Sequence, residues 1–208
     1  MPDRRLNLLG RAVDKRIQAL QEAFLRQSST ARAELAKLRR GLGKPAGSVP
    51  EIWDLTIGSI PASVVWAGGR ADGEPTPAEQ ATHVALTLYA AHQQSLPVPV
   101  HIPGVPFGRA LWRLTEVEGR SEDAVVARFM AAATAETVDE LLTHVRGLIL
   151  QLRSARIGFD YAMFADDIVG LFTPGHAQRV RLAWGRGFYY SRREDADTET
   201  TESTETDN

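Results

Sequence analysis

Apolar residues in this chain recur every three or four positions in one segment after another, and that period restricts it to a helical fold. Over 3–27 the stripe is Leu6, Leu9, Val13, Ile17, Leu20 and Phe24. Ser28, Ser29 and Thr30 offer an N-cap for a second helix, which carries Leu35 and Leu38 and stops at Gly41 and Gly43. A turn-rich stretch follows, with Trp53 expected as a core anchor, and then a Gly/Pro-rich loop through 67–75. Thr76-Pro77-Ala78-Glu79 combines a capping box with proline at the first helical position. It opens a helix whose inward stripe is Ala81, Val84, Leu88 and Ala91.

Four prolines within 96–106 exclude a helix there and make this stretch an extended connector. The helical period resumes after it. One helix is expected over 107–117, and a second opens at Ser121 and buries Val125 and Phe129. Thr137 to Glu140 reads as another capping box, before a helix with Leu141, Leu142, Val145, Leu148 and Leu152 inward and Gly158 as its stop. Asp160 caps a helix with Tyr161, Phe164, Ile168 and Leu171 inward, and a last helix over about 175–190 carries Val180, Trp184 and Phe188. The expected architecture is all-α over 1–193. An N-terminal bundle (about 1–95) and a C-terminal bundle (about 107–193) are joined by the Pro-rich connector. Residues 194–208 form a disordered acidic tail.

At 208 residues the chain is one domain's length. It has no cysteine, which removes disulfides, thiolate nucleophiles and cysteine-based zinc sites and suits a reducing compartment. No apolar run approaches the ~18 residues of a membrane span, and the basic start Met-Pro-Asp-Arg-Arg leads into no apolar stretch, so no signal peptide is expected. The expected location is the cytoplasm, with no membrane partner. The formal net charge of -2 conceals an asymmetry. The 194–208 segment holds seven of the 26 acidic residues and no basic one, so the body carries 24 basic residues against 19 acidic, a net of +5. Of those cations 21 are arginine, whose planar fork binds phosphate oxygens bidentately.

Catalytic chemistry is hard to place. His83, His92, His101, His144 and His176 contain no pair at the spacing of a helical metal motif, and no phosphate-cradling glycine loop is present. Asp160, Asp166 and Asp167 are the best acidic cluster and in principle suit a magnesium-dependent nuclease. Asp160 is better read as a helix cap, with Asp166 and Asp167 on a polar helix face. No cofactor, no metal and no enzymatic activity are expected. The basic residues are more informative. Arg32 and Arg39 share a helix face, Arg40 and Lys44 straddle that helix's C-terminus, and Arg109 and Arg113 are i,i+4 on the helix after the connector. Arg120 and Arg128 follow, and Arg146 and Arg153 are i,i+7 along one edge of a long helix. Same-face cation pairs of this kind suit a groove that tracks a phosphate backbone. Each also has a plainer reading, as a solvated surface charge or a cation answering a helix dipole.

Five blocks of the chain resemble the CasB family, the small subunit of the type I-E CRISPR surveillance complex Cascade. They are LAKLRRGLGKPAGSVPEIWDL at 35–55, HVALTLYAAHQQS at 83–95, FGRALWRL at 107–114, the run from Arg128 to Ile168, and RVRLAWGRGFYY at 179–190. The resemblance implies an all-helical, non-catalytic subunit that sits as a head-to-tail pair of copies against the backbone and large subunits. It implies that the subunit stabilises the crRNA–DNA heteroduplex and holds the displaced single-stranded DNA in a basic groove. By motif position it implies basic roles for Arg39, Arg40, Arg109, Arg113, Arg128, Arg146 and Arg153; Arg32, Lys44 and Arg120 are added from helix geometry alone. A purely structural scaffold, whose arginines meet acidic patches on neighbouring subunits, is the alternative.

Overall fold

A computed structural model describes residues 5–65 and 73–190. The tail expected at 194–208 and most of the loop expected over 67–75 lie outside the described residues. The rest is helical: α1 (Leu8–Leu25), α2 (Ser29–Arg39), α3 (Ala62–Val65), α4 (Pro77–His92), α5 (Phe107–Thr115), α6 (Glu122–Thr134), α7 (Val138–Ala155), α8 (Tyr161–Leu171) and α9 over 177–190. Short 3-10 turns occupy Pro50–Ile52 and Ile57–Ser59. Among the described residues there is no strand beyond a single parallel bridge between His101 and Phe159.

The caps follow the sequence closely. Ser28, Ser121 and Asp160 each accept a hydrogen bond from the first turn of their helix, and Thr76 with Glu79 forms the complete capping box. The second box is only half formed. Thr137 Oγ1 accepts the Glu140 amide, but the Glu140 carboxylate reaches past Thr137 to the Glu136 N–H at 2.9 Å. Gly158 does not end α7 either. Arg156 takes the left-handed position (φ 57), and Gly158 instead lets the connector approach, since a Cβ there would stand 2.7 Å from the Val100 oxygen.

The helix α4 is buried on nearly every side from Ala78 to His92, so its expected one-sided stripe is a lower bound on its burial. Such all-round burial marks a central helix. It packs against α1 and α2 before the connector and against α7 and α8 after it, and α1 also packs along α8. The two helical halves therefore share one core, where Phe107 meets Phe129 and Trp184 edge to face and Phe159 and Phe164 at a tilt. Burial of each such ring contributes about 1.5–3 kcal/mol.

The connector is threaded through that core. Val100 and His101 are buried, and Gln21 of α1 satisfies their backbone: its Oε1 accepts both amides (3.1 and 2.9 Å) and its Nε2 donates to the His101 carbonyl at 3.1 Å. Prolines on either side break any regular ladder that would pair these buried groups, so a glutamine buried on α1 pairs them instead. Trp53, by contrast, is not a core anchor. It is half exposed, with its indole N–H donating to the Gly47 carbonyl at 2.8 Å.

Candidate nucleic-acid interface

The helix α7 is the spine on which the cations assemble. Its apolar residues Leu141, Leu142, Val145, Leu148, Ile149 and Leu152 face inward, which leaves Arg146 and Arg153 along one edge, two turns or about 10.5 Å apart. On that edge Arg146 rests against the loop after α2, where a Cβ on Gly43 would stand 2.9 Å from its Nη1. Arg153 donates from Nη1 to the Gln94 side chain at 3.3 Å. Arg39, half-buried at the end of α2, has its pKa lowered first by burial and then by the charge of Arg153. Arg32, one face up α2, donates to the side chain of Gln27. Among the described residues no carboxylate lies within ion-pair distance of Arg32, Arg39, Arg146 or Arg153. Arg39 and Arg153 thus stand near one another, with Arg32 on the same face of α2 and Arg146 on the same edge of α7, and among the described residues none of the four is paired with a carboxylate.

The remaining predicted residues divide. Lys44 is exposed in the same loop as Gly43. Arg40 is exposed but paired with Glu51 at 2.7 Å. Arg128 of α6 crosses the other flank of α7, where the absence of a side chain on Gly147 admits it, since a Cβ would fall 2.7 Å from its Nη1. Arg120 reaches the same flank through Gln151 and Ser154. Arg109 and Arg113 stay on α5, and no hydrogen bond or ion pair ties them to either group. The structure therefore brings together Arg32, Arg39 and Arg153, places Arg146 two turns away on the same α7 edge, sets Arg120 and Arg128 across the α7 ridge, and leaves α5 apart. Sequence reasoning missed Gln27, Gln94 and the glycine seat at Gly147, which lies inside a helix with no turn signal near it, and read Gly43 only as a helix stop.

The carboxylates of the nuclease reading are engaged elsewhere. Asp160 accepts the amides of Ala162, Met163 and Gly104 (2.8–3.0 Å). Asp166 and Asp167 are buried, not on a polar face as expected. Asp166 accepts the Asn7 and Gly10 amides at the start of α1 (2.7 and 2.9 Å), and Asp167 accepts the Trp184 indole N–H at 2.7 Å. Among the described residues no group of three or more histidines and carboxylates could hold a metal ion.

The histidines are structural in the same way. His101 Nδ1 accepts the Tyr161 amide (3.1 Å), so its Nε2 carries the proton and donates to Asp14 at 2.8 Å. His92 sits 2.9 Å from the Tyr161 hydroxyl, and burial pushes its pKa down to about 3. No described helix is long and apolar enough to cross a membrane.

Fold and edge together define an all-helical protein whose α7 carries cations that no carboxylate pairs with among the described residues. Over residues 34–189 the sequence matches the family model for CRISPR-associated protein Cse2, and the chain belongs to that family. It is similar to CasB from Thermobifida fusca, at 36% identity and a TM-score of 0.72, over 88% of this chain and 99% of that one. A Cse2-family CRISPR-associated protein from Thermus thermophilus shares the fold at 24% identity and a TM-score of 0.63, over 86% and 97% of the two chains. So does a chain of a "CRISPR RNA-guided surveillance complex", at 18% identity and a TM-score of 0.66, over 90% and 99%. Comparison with curated proteins gives no match.

Proposed function

We propose that this chain is a non-catalytic subunit of a type I-E CRISPR surveillance complex, and that it holds displaced single-stranded DNA along the seam between α2 and α7. Family membership supports the first half of the reading. The observation that carries the second is the proximity of Arg32, Arg39 and Arg153, with Arg146 further along the same α7 edge, and no neutralising carboxylate on any of the four among the described residues. Cations held together without counter-charge favour a polyanion, and arginine–phosphate contacts position a strand without reading its bases. Sequence would then be read by the guide RNA, and trapping the displaced strand would tip a near-balanced strand exchange toward the open R-loop. In this reading the other subunits, a second copy of the chain and the crRNA–DNA heteroduplex are partners, Arg109 and Arg113 on α5 serve a separate contact, and the cytoplasm is the site of action.

The test replaces Arg146 and Arg153 by alanine, which leaves the inward leucines of α7 packed. In assembled complex carrying target DNA, the displaced strand becomes more accessible to single-strand-specific chemical probes while occupancy of the subunit stays constant. The scaffold alternative predicts loss of the subunit from the complex with no separate change in strand protection. Occupancy and accessibility measured on one sample decide between the two, and loss of occupancy alone removes the seam from the reading.

A further inference from the structure

An open cavity of about 430 Å³ lies where the C-terminal ends of α1 and α4 meet α2. That is within the roughly 300–1,000 Å³ of small-ligand sites. Phe24, Leu25, Leu35, Leu96 and Pro97 give it apolar walls, Arg32 and Arg39 line one side, and no carboxylate is among its lining residues. Two amides complete it. Gln27 has its Oε1 engaged by Arg32 and Gln94 has its Oε1 engaged by Arg153, which leaves both Nε2 groups without a hydrogen-bond partner among the described residues. Gln27 (φ 68) and Ser95 (φ 62) both line it, and they are two of the three described non-glycine residues held at positive φ. Both stand just past a helix end: Gln27 closes α1, with the Ser28 N–H returning to the Ala23 carbonyl at 3.0 Å, and Ser95 follows the cap of α4.

We propose that this cavity receives one unstacked nucleotide of a single strand, with the base against Phe24 and Pro97, the amides of Gln27 and Gln94 on its carbonyl oxygens, and the adjoining phosphate on Arg32 and Arg39. The proposal rests on the single-strand reading above and deepens it. A bare phosphate would leave the apolar walls wet, and an acidic peptide has no flat apolar face to set against a phenyl ring. A nucleotide satisfies cations, amides and walls together. Arg153 joins the cavity to the α7 edge through Gln94, so a strand lying along Arg146 and Arg153 passes over the mouth. Base–aromatic stacking tolerates any sequence, because every base has a π face.

The test uses the full chain and two dodecamers with equal phosphate numbers, an oligothymidylate and an abasic tetrahydrofuran strand, titrated by fluorescence anisotropy. The oligothymidylate binds about 5- to 100-fold more tightly, with the same salt slope, and Phe24→Leu collapses that ratio. Equal affinities for the two strands overturn the cavity while leaving backbone tracking intact. Failure of both strands to bind overturns the single-strand reading and the cavity with it. Phe24 packs on the core, so a second arm avoids substitution: 5-iododeoxyuridine in the strand photocrosslinks to residues 24–27 or 94–97 of the unaltered chain, and crosslinks confined to other segments overturn the proposal. An oligoribouridylate run in parallel names the preferred sugar, and either strand above its abasic counterpart supports the site. An oligoglutamate that competes as well as thymidylate overturns it.

Discussion

Arg39 at the end of α2 and Arg153 near the end of α7 are close enough that burial first and then the Arg153 charge lower the pKa of Arg39, and no carboxylate lies within ion-pair distance of either among the described residues. Two like charges held together inside a folded protein oppose folding slightly and attract an anion strongly. Arg39→Gln is therefore expected to leave unfolding free energy within about 0.5 kcal/mol of the parent. The same variant should weaken single-stranded DNA binding and flatten the dependence of log K on log salt by about 0.7, the share of a single phosphate. Denaturant unfolding and salt titrations of one preparation check both, and a marked drop in stability with an unchanged salt slope would contradict the assignment.

Asp166 ties α8 to the start of α1, because its carboxylate accepts the Asn7 and Gly10 amides there. A buried carboxylate on unpaired helix N–H groups is a charge-assisted cap. Asp166→Ala should cost about 2–4 kcal/mol, with hydrogen exchange rising first in α1. If α1 amides stay as protected as those of α4, the cap does not anchor the helix.

Gly108 permits the closest helix crossing in the C-terminal half. A Cβ there would stand 2.2 Å from the Trp184 oxygen, and the facing Gly187 would meet Gly108 Cα at 3.5 Å. Both obstacles are backbone, which cannot swing aside, so Gly108→Ala must separate α5 from α9. The expected penalty is about 2 kcal/mol or more, read as a lowered Tm. Gly185, with nothing within 4 Å of its would-be Cβ, is the control, and Gly185→Ala should be harmless or mildly stabilising.

Stability should fall with acidification before carboxylates begin to protonate. Burial lowers the pKa of His92 to about 3 and also lowers that of His83, while the unfolded chain titrates both near 6.5. Between those values the unfolded state binds protons that the native state refuses, so stability is full above about pH 6.5 and is lost as pH falls toward 3. The loss approaches about 1.4 kcal/mol per pH unit for each histidine within its window. Urea unfolding at pH 7.5 and pH 5 checks the slope, and His92→Gln should flatten it.

Much of the helical framework could be read from the chain because helix formation is local. The stripe Leu9, Val13, Ile17 and Leu20, the box at Thr76–Glu79 and the cap at Asp160 each depend on residues within four positions of one another. Where a reading needed a distant partner it went astray. Trp53 looks like core by its type alone, yet it is half exposed and its indole N–H donates to Gly47 on a surface turn. Asp166 and Asp167 look like solvated charges until α1 and α9 bring amides and an indole N–H to them.

The cationic residues show the same boundary. Their types and the i,i+7 relation of Arg146 and Arg153 belong to the sequence, since spacing on a helix is a property of its period. Which arginines share a surface was decided by packing. The helix α7 meets α4, α4 meets α2, and that succession of packed helices sets Arg39 beside Arg153 and leaves Arg109 and Arg113 on another element. Local sequence determined helices, caps and an excess of arginine on the body; only the tertiary structure decided where those charges meet, because electrostatic juxtaposition depends on distance in space and the helical period carries no record of it.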